Sequence, residues 1–400
     1  MRTRYVYLMV ALWVSLMSSP TMAQQLSQST ASKVQRAHQF QQDDKLDQAI
    51  ALLASISTSK AYDQAFIARM LGVFYWQQGD LTQSVKQLSG AVESGLLQDE
   101  QAWATQKMLA DVLLSDEQFE RALPHYYALT KTAADNKQRQ ELWLRIVQVN
   151  YQLADWQKVL TAAVQYEKHQ SQEQVTVLTM KLGAQLQLKQ WQASQRTLQR
   201  LLLLEPNKLT WWQQSAGIAL RLKQYDQALA TLALAKRQQV LLSPQDLTTL
   251  AQLYAKQGIP ERAAQTLAQV KGADQDPALL AEQASYWQMA KEWQQATHFW
   301  ALAAKKDNKH RWALVQLLLQ EGHHRQALKE LEGVSGRKEL VELARVRAYY
   351  KLEQIEQALI HAKRAYHLKA SNESRSWIEY LTQLRAMEPS QDKSQRLTAR

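Results

Sequence analysis

Cysteine is absent from all 400 residues. That excludes a disulfide framework, a thiolate nucleophile and any Cys-ligated zinc or iron–sulfur centre. Glycine and proline are scarce, at 11 and 7 residues, less than half of the roughly 12% combined share of an ordinary globular chain. Sandwiches, barrels and propellers need a turn about every 8–12 residues, so β architectures are not expected. Beyond the N-terminus no apolar run approaches the ~18 residues of a membrane-spanning helix. There is no G-x-S-x-G, no phosphate-cradling glycine loop and no H-E-x-x-H. What remains is a chain 46% hydrophobic and 21% charged, with a formal net charge of +11. That is apolar enough for a sizeable core and is no disordered polyelectrolyte.

The chain opens Met1-Arg2-Thr3-Arg4, runs apolar from Tyr5 to Met17 and leaves through Ser18-Ser19-Pro20-Thr21-Met22-Ala23. A basic start, a 13-residue apolar stretch and small residues at Thr21 and Ala23 form a secretory signal, with cleavage expected after Ala23. Thirteen residues rise about 20 Å as a helix, short of the ~30 Å hydrocarbon core, so a retained anchor is the weaker alternative. For a bacterial-type signal the destination is the periplasm. Removal of residues 1–23 lowers the net charge to +9, of which residues 301–400 carry +7.

One short pattern recurs: a polar or glycine residue, usually a bulky apolar one, two polar residues, then a small one. It appears as Lys45-Leu46-Asp47-Gln48-Ala49, Asp80-Leu81-Thr82-Gln83-Ser84 and Gln118-Phe119-Glu120-Arg121-Ala122. Seven more copies end at Val159, Ser194, Ala228, Ala263, Ala296, Ala327 and Ala358, so the ten small residues lie 31 to 38 positions apart. Flanking apolar residues, such as Leu71, Tyr75, Leu88 and Ala91, follow the i, i+4, i+7 period of a helix face. Small residues paired across each turn, such as Gly72 with Ser84 and Ala251 with Ala263, suit two antiparallel helices that cross closely. The bulky turn residue wedges between the pair and the next helix. Val159 is large for its place and is expected to loosen its hairpin. The last units, 31 residues apart, require shortened helices or loops. Ser243-Pro244-Gln245-Asp246 reads as a helix start, Gly258 and Pro260 as a stop and a restart, and Thr132 to Gln140 as a long polar connection.

This pattern resembles the tetratricopeptide repeat. The family's positions map in the clearest unit onto Leu71, Gly72, Tyr75, Ser84, Leu88 and Ala91, with its closing proline at Pro206. The resemblance covers about residues 33–370. It implies an all-α fold, a right-handed α-α superhelical solenoid of about ten helix pairs. The expected organisation is a signal at 1–23, a solenoid over 24–387 and a polar tail at 388–400. The stretches Ala61-Tyr62-Asp63-Gln64-Ala65 through Gly79-Asp80, Met108-Leu109-Ala110-Asp111, and Leu253 through Pro260 are similar to periplasmic repeat proteins encoded beside TonB–ExbB–ExbD systems. That resemblance implies a helper of TonB-dependent uptake that touches TonB, ExbB or ExbD. A scaffold for envelope assembly or polysaccharide export is the alternative, and an envelope enzyme a distant one.

In the family, the inner face of the first helix of each pair lines a binding groove. Counting along the repeat places Phe66, Arg69, Trp76, Lys107, Asp111, Gln148, Tyr151, Trp312, Gln316, Arg347 and Tyr350 on that face. Aromatics beside Arg and Gln suit a protein-binding surface; an ordinary solvated helix face is the competing reading. A carboxylate clamp is not expected, because Val73 and Asp111 stand where that subclass has asparagines. Trp156, Trp191 and Trp293 read as turn wedges, and Trp143 and Trp212 as core anchors. His323-His324 are adjacent in a turn rather than four apart on a helix, so no metal site is expected, nor a cofactor or a catalytic group. The strongest basic run, Lys305 to Arg311, is broken by Asp307, which argues against nucleic acid. Peripheral contact with an anionic membrane surface or peptidoglycan fits the basic C-terminal quarter better. The sequence leaves the oligomeric state open.

Overall fold

A computed structural model describes residues 25–387. The signal over 1–23 and the polar tail over 388–400 lie outside the described residues. Among them the chain is all-α, with twenty-one α-helices, one 3-10 turn at Asn308–His310 and no strand. No helix among them is long and apolar enough to cross a membrane.

The helices form ten antiparallel hairpins. In order they are α1–α2 (Gln28–Gln42, Leu46–Ala54), α3–α4 (Ala61–Gln78, Leu81–Glu93) and α5–α6 (Asp99–Ser115, Phe119–Thr132). Then come α7–α8 (Asn136–Gln152, Trp156–His169), α9–α10 (Val175–Gln187, Trp191–Leu204) and α11–α12 (Leu209–Arg221, Tyr225–Arg237). Next are α13–α14 (Pro244–Lys256, Pro260–Leu267) and α15–α16 (Pro277–Met289, Trp293–Lys306). Last are α17–α18 (Arg311–Gln320, His324–Leu331) and α19–α20 (Lys338–Lys351, Ile355–Leu368). An eleventh first helix, α21 (Asn372–Met387), packs on α20. The shortening expected near the C-terminus falls in α17 and α18, of 10 and 8 residues.

All ten turns are one device. Two residues before each bulky wedge, the backbone is left-handed, at Asp44, Gly79, Glu117, Ala154, Lys189, Lys223, Gly258, Lys291, Gly322 and Glu353, with φ between 55° and 89°. The next residue's N–H then reaches back to the carbonyl five positions earlier, as Asp80 does to Tyr75 (2.9 Å), Gln118 to Leu113 (2.8 Å) and Gln354 to Tyr349 (2.9 Å). This Schellman closure satisfies helix-end carbonyls that would otherwise be orphaned. Only three of the ten left-handed residues are glycine, which is how twenty-one helices coexist with so little of it.

Five residues after that left-handed position, the second helix presents its small residue to the first. All ten small positions, from Ala49 to Ala358, are 0% exposed. Val159 is as deeply buried as the alanines, and so is Val147 twelve residues earlier, so that hairpin is not loosened. In α3–α4 the approach is closest. The Ser84 hydroxyl donates to the Gly72 carbonyl (2.8 Å), and a Cβ on Gly72 would lie 2.5 Å from Leu88 Cγ.

The helix starts follow local chemistry. Ser243 accepts from the Asp246 N–H (3.2 Å) while the Asp246 carboxylate accepts from the Ser243 N–H (3.0 Å), a reciprocal cap with Pro244 in the first turn. The long connection expected over Thr132–Gln140 is a correction. Asp135 accepts from the Gln138 N–H (2.7 Å), so α7 starts at Asn136 and the link is three residues. Asp63, fully buried at the start of α3, holds α1 in place. It accepts from the Ser27 N–H (3.2 Å), the Ser27 hydroxyl, Thr30 (2.8 Å) and Thr58 (3.3 Å). Burial works against its charge, but these donors win and keep its pKa below the usual carboxylate range.

The chain divides into two compact units between Thr197 and Leu198, inside α10. In the first, one continuous core runs from Val85 and Leu88 through Tyr126, Ile146 and Tyr166 to Val177. In the second, the largest core joins Trp212, Leu232, Leu250, Tyr254 and Leu267.

The turn geometry predicts that Ala154→Gly and Lys223→Gly each stabilise their unit by about 1 kcal/mol, because a side chain at left-handed φ costs roughly 1–2 kcal/mol. Gly258→Ala should do the reverse, all read from urea midpoints. Gly72→Ala should destabilise by about 1–3 kcal/mol through overpacking, with much of the loss recovered in a Gly72→Ala, Leu88→Ala double variant.

Candidate interaction surface

The first helices of successive hairpins touch one another directly, α1 with α3 and α7 with α9 in the first unit, α17 with α19 in the second. Side chains on that flank can therefore meet across hairpins. In the first unit they do so through charge. Lys107, in the middle of α5, places Nζ 3.0 Å from Asp111 one turn on and 3.0 Å from Glu141 of α7. Asp111 is the hub, since Arg145 of α7 lies 3.8 Å from it and the Tyr126 hydroxyl donates to it at 2.7 Å. Arg145 also donates to the Gln148 side-chain carbonyl (3.1 Å). Burial draws the Lys107 pKa down, but Asp111 and Glu141 outweigh it and leave the value raised. Burial, then Asp111, pushes the Tyr126 hydroxyl far above its ordinary value.

Tyr151 continues this face toward α9. Its ring meets Trp156 edge-on (5.3 Å), and its hydroxyl rests where a Cβ on Gly183 would come within 2.8 Å. Only a glycine there lets the tyrosine span the two helices. An open hollow of about 510 Å³ lies beside it, lined by Leu114, Phe119, Gln148 and Met180 among others.

On α3 the three expected residues part company. Phe66 is a correction: it is 4% exposed and belongs to the core with Ile67, Met70 and Leu71, so it cannot line a groove. The helix turns it under its neighbours, a choice that periodicity alone did not resolve. Arg69 is half-buried, with its guanidinium 5.7 Å from the Phe66 ring centre and no ion pair among the described residues. Burial pulls its pKa below the ordinary arginine value, with a smaller opposing effect from Tyr62. Trp76, near the end of α3, is 39% exposed.

In the second unit Trp312 and Gln316 sit one turn apart on α17. Trp312 is half-buried under the Arg337 guanidinium (5.8 Å), and Gln316 is exposed. Arg347 and Tyr350 of α19 both meet α21. Arg347 pairs with Glu373 (2.6 Å), the Tyr350 and Tyr380 hydroxyls share a hydrogen bond (2.9 Å), and the Tyr350 ring packs on Trp377 (5.4 Å). The structure thus joins Lys107, Asp111 and Gln148 in one network and gives Arg347 and Tyr350 a shared neighbour. Among the described residues it gives Arg69 and Trp76 no polar side-chain partner. Counting missed Glu141, Arg145 and Tyr126. The i, i+4 spacing of Glu141 and Arg145 was the available signal.

No family model and no curated protein matches the chain. Among solved structures it is similar to yeast Tom70, at 12% identity over 93% of this chain and 99% of that one, with a TM-score of 0.31. It is also similar to the C-terminal part of a TPR repeat-containing protein from Cytophaga hutchinsonii, at 15% identity over 69% and 95%, TM-score 0.38. A tetratricopeptide repeat protein from Parabacteroides merdae follows at 11% identity over 80% and 99%, TM-score 0.25. At such values the likeness is no guide to function.

Other polar clusters are structural. The wedges Trp156, Trp191 and Trp293 are half-buried, and Trp212 is buried with its indole N–H bonded to the Pro206 carbonyl (2.7 Å). His361 is buried against Glu342 (2.6 Å) and stacked on Tyr349. Among the described residues no three metal-ligating side chains cluster.

The Lys107 network sets a pH test. A lysine with a raised folded pKa contributes stability that is complete below its unfolded value of about 10.4 and is lost as pH rises through the folded value. Urea midpoints of the wild type should therefore fall more steeply above about pH 10.4 than those of Lys107→Met.

Proposed function

We propose that the protein is a non-catalytic periplasmic scaffold that holds another protein along the first-helix face of its N-terminal unit. The observation that carries this is Arg69, a desolvated cation without a carboxylate, on the same helix as the exposed Trp76. A half-buried guanidinium left unpaired costs stability, and arginine and tryptophan are the side chains over-represented at interface hot spots. Next along, the hollow beside Gln148 and Tyr151 sets Leu114, Phe119 and Met180 against two side-chain amides, two hydroxyls and the Glu117 carboxylate, a mixed apolar and hydrogen-bonding wall that suits a peptide segment. The periplasmic assignment rests on the signal-like residues 1–23. The TonB assignment rests on the resemblance of the stretches around Tyr62, Asp111 and Tyr254.

Two measurements test the reading. Periplasmic crosslinking followed by pulldown should recover TonB, ExbB or ExbD. Recovery of polysaccharide-export or envelope-assembly subunits alone would move the scaffold to that machinery, and a full-length protein left in the cytoplasm would overturn export. Arg69→Met combined with Trp76→Ala should lower partner recovery at least tenfold while the unfolding midpoint stays within about 0.5 kcal/mol of wild type. Undiminished recovery would remove this face from the interaction.

A further inference from the structure

The second unit carries a different polar surface, which the repeat count did not single out. α14 is only eight residues long, and the chain leaves it at Ala268 and turns irregularly until Pro277. The shortened helix leaves an open hollow of about 630 Å³ bordered by α12, α13 and α14. Three cations line it, Lys236 and Arg237 from the end of α12 and Arg262 from α14, and no carboxylate does. None of the three has an ion pair among the described residues. The Arg262 guanidinium lies 6.0 Å from the Tyr254 ring centre, and with no hydrogen bond to another described residue its N–H groups remain for a planar anion.

The neutral groups narrow the ligand. The Gln269 side-chain amide donates to the Gln265 backbone carbonyl (3.1 Å), which leaves its own side-chain oxygen as an open acceptor. Among the described residues the Gln265 side-chain amide has no hydrogen-bond partner, nor does the hydroxyl of Thr266, which is 2% exposed and lines the hollow. Sulfate offers those amide oxygens no donor and inorganic phosphate only its one or two O–H groups, whereas a peptide backbone offers an N–H at each residue along its length. Cations for side-chain carboxylates and amides for the main chain are therefore both present. We propose that this hollow docks an acidic peptide segment, with Arg262 and Lys236 on its carboxylates and Gln265 and Gln269 on its backbone. The proposal rests on the scaffold reading but on another surface, so the two fail separately. Partial burial lowers the Lys236 pKa, as expected of an ammonium partly shielded from water with no counter-ion beside it.

The test uses the full mature chain and a fluorescein-labelled octapeptide of glutamate and glycine, followed by anisotropy. The peptide should bind with an affinity that falls as salt rises, while a lysine–glycine peptide of equal length should not bind. Lys236→Met with Arg262→Met should weaken binding at least tenfold, and Arg69→Met with Trp76→Ala should leave it unchanged. Zero-length carbodiimide crosslinking on the unsubstituted protein provides a readout free of folding effects, and it should join the peptide to Lys236. Crosslinks confined to other lysines, equal binding by the double variant, or displacement by an equal concentration of inorganic phosphate would each overturn the proposal.

Discussion

Everything in this chain depends on how closely two helices approach across a gap of two or three residues. The left-handed residue reverses the chain, the Schellman bond closes the first helix, and the buried small residue fixes the distance between the pair. Each step needs the one before. A right-handed residue at the turn would send the second helix away from the first, and a large residue at the crossing would force the pair apart. Because the same three steps recur ten times, the fold is a sum of local solutions. Within each unit its stability is distributed hairpin by hairpin, with neighbouring pairs burying their faces on one another. The large deviation in glycine content follows from this economy: lysine, glutamate, aspartate and alanine accept the left-handed turn in seven cases, at a cost in strain that the buried hairpin contacts offset.

That architecture leaves the flank of the first helices to be shaped by whatever side chains it carries. Where the charges of adjacent hairpins agree in register, as around Asp111, they neutralise one another and the surface becomes rigid and self-contained. Where they do not, as at Arg69, a desolvated group remains available. The same distinction applies on the second-helix side of the C-terminal unit. There, shortening of α14 exposes three cations that no neighbouring carboxylate reaches. Unsatisfied polar chemistry, more than the repeat positions themselves, marks where a partner would gain most.

α21 has the position of another first helix, packs on α20 and engages Arg347 and Tyr350 through Glu373 and Tyr380. Two of the side chains counted onto the groove face are thereby engaged by the chain itself.

The fold class, the ten turns and the ten crossing residues were legible in the amino-acid sequence, because they depend on interactions a few residues apart: a helical period, a turn, a small residue twelve positions after another. The Ser243 cap and the pause at Gly258 were legible for the same reason. The start of α7 was misjudged, since Asp135 caps a helix whose first turn is entirely polar. The fate of the surface residues was not legible. Periodicity assigns a side chain to a face of its own helix, but whether Phe66 is covered, whether Lys107 meets Glu141, or whether Lys236 meets any acid depends on the register between hairpins. That register is set by the packing of side chains some thirty residues apart, and only the tertiary structure decides it.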